Sequence, residues 1–195
     1  NHEFSWLGWQ SVQVFGGANL PRQTRKLAAN QAFFEYQPGR FVKSSGSSIE
    51  RFDPPKVVDA PVDRFDEHGF GVEPNNVVAV GSLRGYRAFT WGKNVELIIT
   101  DQRSYRSEEP TVRPEAKQLS SYDFPEFLPL EVIEILDAGR TYNNGQPPAK
   151  IRVGDIEIDN FWKDHPAQTV LGAEQKAWFV ERLRQSTATW KVWCN

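Results

Sequence analysis

The chain has 195 residues, of which 39% are hydrophobic and 25% are charged, and its formal net charge is -2. This composition is typical of a folded globular protein, and the lack of a basic excess argues against general binding to nucleic-acid backbones. The sequence contains no run of ~20 apolar residues, so no membrane span is predicted. Its single cysteine, Cys194, excludes an internal disulfide.

The first predicted element is a helix over residues 21–36, which have helix-forming composition. The side chains expected near one face of it are Leu27, Ala28, Gln31 and Phe34. Residues 43–76 follow as a loop-rich insertion, with prolines, glycines and acidic residues at short intervals. Loops of this length in compact domains are usually functional or mobile, so this one is a candidate for setting substrate specificity.

A hairpin is predicted next, with strands over residues 86–91 and 95–100 that Gly92, Lys93 and Asn94 connect. The second strand is nearly continuously apolar in its latter half, as expected of a strand covered on both faces. Asp101 follows directly, so the motif DQRSYR begins at the carboxyl end of a strand, where open α/β sheets bind ligands.

The carboxyl-terminal third contains three further predicted elements. A small hairpin is expected over residues 150–158, and an amphipathic helix over residues 171–186. Residues 190–195 then read as a buried strand. Because a helix that leads into a buried strand is typical of layered α/β proteins, the predicted fold class is α/β.

Two groups of side chains carry possible chemistry, and the first is at the start of the chain. Asn1, His2 and Glu3 place an amide oxygen, an imidazole and a carboxylate in succession. At a strand end, such a triplet suits a hard cation beside a substrate oxygen. The simpler interpretation of the triplet alone is an exposed polar terminus.

The second group comprises Asp101, Arg103, Tyr105 and Arg106. Arginine side chains in such a loop suit binding of a phosphate or a carboxylate. Alternatively, Asp101 and Arg103 cap the strand and lock the loop through a salt bridge, and spacing alone leaves both interpretations open. A glycine-rich phosphate loop, a G-x-S-x-G elbow, an H-E-x-x-H motif and a C-x-x-C pair are all absent from the sequence.

Five stretches of the chain match one family in the family's own order. NHEF resembles the latter part of a Trp-Asp-(Asp/Asn)-His-Glu motif. The other four stretches are QAFFEYQPGRF, YRAFTWGKNVELIITDQRSYRS, DAGRTYNNGQPPAKI and TVLGAEQKAWFVERLRQSTATWKVWCN. Together they resemble the alkaline phosphatase D (PhoD-like) family, a branch of the calcineurin-like metallophosphatases.

The resemblance implies a phosphoesterase that uses two metal ions held at strand ends of an α/β/β/α layered β-sandwich. Its expected substrate is a phosphate-ester small molecule or lipid, either a monoester or a diester. The metals remain open among calcium, iron, zinc and manganese. The resemblance also implies a periplasmic or secreted location.

Site residues follow from the same resemblance. Asn1 matches a metal ligand of the family, and His2 matches the histidine that contacts the phosphate and protonates the leaving oxygen. Glu3 would orient that histidine or its loop, and Asn195 falls where a further metal ligand is found. The remaining matched residues, interpreted as the wall of the substrate pocket, are Asp101, Arg103, Tyr105 and Arg106.

The matched stretches correspond to the central part of a metallophosphatase domain. Residues 1–195 are therefore interpreted as a single partial domain that is incomplete at both ends, with further metal ligands outside the chain. An isolated polypeptide of this sequence is accordingly expected to be inactive and poorly folded.

The alternative interpretation is a non-catalytic, aromatic-rich binding domain, for example for carbohydrate. The chain has seven tryptophans and thirteen phenylalanines, which buried aromatic packing explains more simply. The alternative predicts that most of the tryptophans are exposed.

Overall fold

The structure is a computed structural model that describes residues 22–37, 39, 41, 48–64, 66, 71–107, 110, 113–120, 123, 124 and 127–195. These residues divide into two compact units. The first unit takes in the described residues up to 64 together with residues 71–106 and 170–195, and the second takes in residue 66 and the described residues of 107–169. The interpretation as a single partial domain is not tested by this division and stays a prediction.

Six α-helices, a short 3₁₀ helix (Gly139–Thr141) and five strands are present in the described part of the chain. The helices are α1 (Gln23–Tyr36), α2 (Pro74–Gly81), α3 (Pro114–Lys117), α4 (Leu130–Ala138), α5 (Tyr142–Gly145) and α6 (Ala173–Gln185). The strands are β1 (Arg87–Trp91), β2 (Val95–Ile99), β3 (Lys150–Val153), β4 (Ile156–Asp159) and β5 (Trp190–Cys194). Both predicted hairpins, the helix near residues 171–186 and the final strand are thus confirmed.

Helix α1 buries only part of the face that the sequence predicts, with Leu27 buried and Gln31 and Phe34 partly buried. Its buried side chains are Gln23, Lys26, Leu27, Ala29 and Asn30. Ala28, expected inside, is exposed. The polar side chains can be buried because they find partners far along the chain: Gln23 Nε2 donates to the carbonyl of Ala60 at 2.9 Å, and Asn30 Nδ2 donates to Ser82 Oγ at 2.8 Å.

The loop-rich insertion is confirmed in its described portion. Residues 48–64 contain neither a helix nor a multi-residue strand, and α2 begins at Pro74, shortly before the predicted end of the insertion. A small apolar core fixes this part of the first unit. Its buried members are Phe41, Phe52 and Leu83, with Phe33, Phe34 and Ile49 packed against them.

A three-stranded sheet in the order β1-β2-β5 positions the functional residues of the first unit. β1 and β2 form the predicted antiparallel hairpin, and β2 pairs with β5 in parallel. Parallel neighbours require a crossover connection, and here the segment between β2 and β5 ends with helix α6. Consequently, β2 and β5 end at the same edge of the sheet.

Helix α6 packs on one face of this sheet. The ring of Phe179 lies 5.0 Å from that of Trp193, and Arg182 forms an ion pair with the buried carboxylate of Glu96. The prediction that the final strand is buried is wrong for the described residues: Trp190 is 67% exposed and Val192 42% exposed. Strand β5 pairs with β2 on one side only, so its outer edge lacks a strand partner among the described residues.

The second unit is built around its own apolar core. The buried members of this core are Leu119, Val132, Leu136, Ile151, Ile158 and Trp162. The hairpin of β3 and β4 contributes Ile151 and Ile158, which face each other across the antiparallel pair.

The fold is mixed α/β with two small sheets. In the described part of the chain, no helix combines the length and the apolar character needed to cross a membrane.

Candidate functional site

The parallel pairing of β2 and β5 brings two of the predicted site residues to one edge of the sheet. Ile99 lies opposite Cys194, and the N–H of Thr100 continues the ladder by donating to the carbonyl of Cys194 at 2.9 Å. Asp101 and Asn195 therefore emerge from adjacent strand ends. Asn195 is exposed, whereas Asp101 is buried. Asn1, His2 and Glu3, the other predicted site residues, lie outside the described residues.

The Asp101 carboxylate locks the turn that follows β2, hereafter the 101–106 turn. Its Oδ1 accepts hydrogen bonds from the backbone N–H groups of Arg103 and Ser104, at 2.9 and 2.8 Å. Its Oδ2 is buried and has no hydrogen-bond partner among the described residues. This arrangement supports the loop-locking interpretation of Asp101, with backbone amides in place of the proposed salt bridge.

The backbone of Asp101 is itself held from helix α6. Its N–H donates to Gln175 Oε1 at 2.6 Å, and its carbonyl accepts from Gln175 Nε2 at 2.9 Å. The same Nε2 also donates to the carbonyl of Leu171 at 3.0 Å. Gln175 is fully buried, and its side chain satisfies three backbone groups: the two of Asp101 in buried contacts and the carbonyl of Leu171 in a partly buried one.

Helix α1 reaches the same turn through Lys26. This side chain is 2% exposed, and its Nζ donates to Ser104 Oγ at 2.9 Å. Burial lowers the pKa of the Lys26 ammonium to about 8, while the negative charge of Asp101 acts in the opposite direction. The 101–106 turn is thus fixed from α1, from α6 and from within.

Two tyrosines line the other side of the turn. The rings of Tyr105 and Tyr86 lie 5.7 Å apart in an edge-to-face arrangement, and the hydroxyl of Tyr86 donates to Glu174 Oε1 at 2.9 Å. Burial raises the pKa of Tyr86 to about 12, and the hydrogen bond and charge of Glu174 raise it further. Burial also raises the pKa of Tyr105. Both phenols therefore stay neutral near pH ~7.

The two arginines of the turn differ in exposure. Arg103 is exposed and Arg106 is partly buried. Guanidinium groups remain charged at any pH near neutrality and bind phosphate oxygens in a bidentate manner. The turn that follows β2 therefore carries two side chains of the kind that bind anions.

Sequence reasoning missed three residues that hold this turn in place: Lys26, Ser104 and Gln175. Only Ser104 has a recognisable local signal, because an aspartate often accepts hydrogen bonds from backbone N–H groups two or three residues later. The others act on the turn from other parts of the chain, and a local pattern does not report such contacts.

Metal binding was tested against the side chains that the structure describes. In the described ranges, no three histidine, cysteine, aspartate or glutamate side chains group closely enough to hold a metal ion. Asp101 is not available as a ligand in this arrangement, since one of its oxygens accepts two backbone hydrogen bonds and the other is buried close to Gly85.

A protein-family model described as PhoD-like phosphatase matches residues 8–195. The chain belongs to the PhoD-like phosphatase family. The resemblance seen in the sequence is thereby confirmed, and membership implies a metal-dependent hydrolase that acts on phosphoesters. The matched range begins after Asn1, His2 and Glu3. No curated protein and no solved structure matches the chain.

Proposed function

We propose that the chain is part of a phosphoesterase that hydrolyses phosphate monoesters or diesters through a centre of two metal ions, drawn from calcium, iron, zinc and manganese. The match to the PhoD-like phosphatase family over residues 8–195 carries this proposal. The parallel ends of β2 and β5 add support, because ligands in open α/β sheets bind at the carboxyl ends of strands.

In this proposal, the groups nearest the reacting phosphate come from both ends of the chain. Asn1 and Asn195 are metal ligands, His2 protonates the leaving oxygen, and Glu3 orients the imidazole of His2. Histidine suits the donor role because its ordinary pKa of ~6.5 lies near neutral pH. When bound, a pair of metal ions polarises the phosphoryl oxygens and lowers the pKa of water.

The 101–106 turn forms the wall of the proposed pocket. Arg103 and Arg106 bind the non-bridging phosphate oxygens, and Tyr105 supports them from the buried side of the turn. Asp101 holds the turn in shape through the backbone amides of Arg103 and Ser104. Such positioning is important in phosphoryl transfer, where electrostatic stabilisation does most of the catalysis.

The same family assignment leads us to propose an α/β/β/α layered sandwich for the complete domain. The face of the sheet opposite α6 supports this fold. It carries Leu97, Val192, Trp190 and Trp91, which are partly or largely exposed. An apolar sheet face of this kind is normally covered by a further layer of structure.

One observation bears on the alternative of an aromatic-rich binding domain. Three of the five tryptophans in the described part of the chain are exposed, namely Trp91, Trp190 and Trp193. All three lie on β1 or β5, the two outer strands of the sheet, and this position accounts for their exposure. The family match favours the enzyme over carbohydrate binding.

Replacement of His2 tests the proposed chemistry in the protein that carries these residues. His2→Ala should lower kcat about 100-fold or more on phenyl phosphate, because the poor leaving group needs a proton. The loss should be smaller on p-nitrophenyl phosphate, whose leaving group departs without full protonation. Parallel assays with phenyl and p-nitrophenyl diesters establish which ester class is the substrate.

His165→Ala is the matched control, since His165 stacks on Trp162 in the second unit and has no proposed role. It should retain wild-type kcat on both esters. Equal losses on the two leaving groups would contradict the proton-donor role of His2. If the wild-type protein hydrolysed neither monoesters nor diesters, the proposed function itself would be wrong.

The family resemblance also leads us to propose a periplasmic or secreted location. Fractionation of the native cells, followed by phosphatase assays and immunodetection of each fraction, tests this. Recovery of the protein in the cytosolic fraction alone would contradict it.

A further inference from the structure

A buried lysine of helix α1, Lys26, contacts the 101–106 turn, and the proposed reaction does not itself require this contact. Lys26 is 2% exposed, and its ammonium donates to the hydroxyl of Ser104, which is 1% exposed. Burial of an ammonium group is costly, and an apolar side chain of similar length would avoid the cost. A buried charge in contact with a proposed pocket wall therefore suggests a role beyond the stability of the fold.

The position of Ser104 explains what such a contact can do. The backbone N–H of Ser104 is held by Asp101 Oδ1 at 2.8 Å, and its side chain is held by Lys26 at 2.9 Å. Ser104 directly follows Arg103 and precedes Arg106 by two residues. Any displacement of Ser104 therefore moves the backbone from which both arginines extend.

The charge of Lys26 serves a second purpose in the same place. The buried Asp101 carboxylate has one oxygen without a hydrogen-bond partner among the described residues, and the positive charge of Lys26 lies within its electrostatic influence. An uncompensated buried carboxylate is strongly unfavourable, so loss of Lys26 would favour movement of Asp101 towards water. Asp101 also holds the N–H of Arg103, so this movement would disturb the turn again.

We propose that Lys26 is a positioning residue for phosphate recognition: from helix α1 it holds Ser104 and compensates Asp101, and so fixes the turn that carries Arg103 and Arg106. This inference rests on the proposed phosphoesterase function, because it assigns the two arginines to the phosphate. Lys26 itself is buried and does not touch the substrate. Its effect on the reaction passes through the shape of the 101–106 turn.

Two variants of the protein test this role. Lys26→Met removes the charge and keeps most of the side-chain length, and Ser104→Ala removes only the acceptor hydroxyl. Lys176→Met is the matched control, because Lys176 is an exposed lysine on helix α6. For each protein, the KM for p-nitrophenyl phosphate is measured by kinetics and the Kd for inorganic phosphate by calorimetry.

We expect Lys26→Met to raise both KM and Kd about tenfold, since small misplacements of binding groups are costly. Ser104→Ala should raise both about threefold, because it leaves the compensation of Asp101 intact. Lys176→Met should leave both constants at their wild-type values. KM and Kd do not depend on the fraction of correctly folded molecules, so a purely structural role for Lys26 would not change them.

The inference is overturned if KM and Kd stay at wild-type values in both variants while kcat or the melting temperature falls. If Lys26→Met does not fold, Ser104→Ala decides by the same criterion. Failure of the proposed function gives a different result, because the wild-type protein would then show no hydrolysis. In that case the calorimetric Kd still decides whether Lys26 positions an anion site.

Discussion

The side-chain amide of Gln175 forms two hydrogen bonds with the backbone of Asp101. Its Oε1 accepts a hydrogen bond from the N–H of Asp101 at 2.6 Å, and its Nε2 donates one to the carbonyl of Asp101 at 2.9 Å. The two residues are 74 positions apart, so this contact ties helix α6 to the end of strand β2. It also fixes the residue whose carboxylate locks the 101–106 turn. The most direct consequences concern stability.

Gln175→Ala should therefore be strongly destabilising. Loss of the amide leaves the buried backbone groups of Asp101 and the partly buried carbonyl of Leu171 without this partner, and we expect a decrease in unfolding free energy of about 2–4 kcal/mol. Urea denaturation followed by circular dichroism measures this change. Gln185→Ala, at an exposed position of the same helix, should lower the unfolding free energy by less than about 0.5 kcal/mol. Equal decreases for the two variants would contradict the stabilising role of the hydrogen bonds between Gln175 and Asp101.

Gly85 should tolerate no side chain. A Cβ atom there would lie 2.8 Å from Asp101 Oδ2 and 3.3 Å from Asp101 Cγ. Since Asp101 is fixed from both sides, Gly85→Ala should lower the unfolding free energy by about 1–3 kcal/mol. Gly81→Ala is the control, because a Cβ at position 81 meets nothing within 4 Å. An unaltered midpoint of urea denaturation for Gly85→Ala would show that Asp101 can move away.

The titration of Lys26 should make the unfolding free energy depend on pH. Its pKa is about 8 in the folded protein and 10.5 ordinarily, so between these values the unfolded chain binds a proton that the folded protein lacks. Stability should therefore rise with pH in this window, by up to about 1.4 kcal/mol per pH unit.

The difference between wild type and Lys26→Met isolates this effect, because other titrating groups are common to both proteins. Tyr86 and Tyr105 act in the opposite direction, since their folded pKa values are raised and their contribution to stability is lost only at higher pH. Unfolding free energies measured from about pH 8 to about pH 9.5 avoid most of that range. A difference that does not change with pH would show that Lys26 is not desolvated.

The ion pair between Arg182 and Glu96 fixes α6 against the sheet. Glu96 is 3% exposed, so Arg182→Ala would leave a buried carboxylate without its partner. We expect a loss of about 3 kcal/mol in unfolding free energy, measured by thermal or urea denaturation. Arg184→Ala, an exposed position two residues later, should be nearly neutral. Against the effect of burial, the Ser186 hydroxyl and the positive charge of Lys191 also lower the pKa of Glu96, so a neutral Arg182→Ala would mean that these groups suffice to compensate the carboxylate.

Local patterns in the sequence were sufficient to predict most of the regular elements. The hairpin of β1 and β2 follows from two apolar runs around Gly92, and the hairpin of β3 and β4 follows from alternation around Gly154. Helix α6 follows from its spacing of apolar residues. These signals are local, because turn chemistry and periodicity act over a few residues.

The buried polar contacts could not be predicted in the same way. Lys26 and Gln175 are of residue types that favour solvent, and each is buried with a partner more than 70 residues away in the sequence. The exposure of Trp190 and Val192 was mispredicted for a related reason. Apolar residues indicate that a strand can be buried, but they do not indicate whether another element covers the strand.

The candidate site was predicted unevenly. Asp101 and Asn195 lie at adjacent strand ends because β2 and β5 are parallel, a pairing that the sequence analysis did not predict. The locking role of Asp101 was one of two interpretations that the spacing left open. The roles of Asn1, His2 and Glu3 stay predictions, because these residues lie outside the described part of the chain.

Metal dependence of phosphoester hydrolysis is the most direct test of the proposed function. Turnover of p-nitrophenyl phosphate and bis(p-nitrophenyl) phosphate should be measured before chelation, after chelation and dialysis, and after separate additions of calcium, iron, zinc and manganese. We predict that chelation abolishes turnover and that at least one of these metals restores it. An unchanged rate after complete removal of metal would contradict the proposed function.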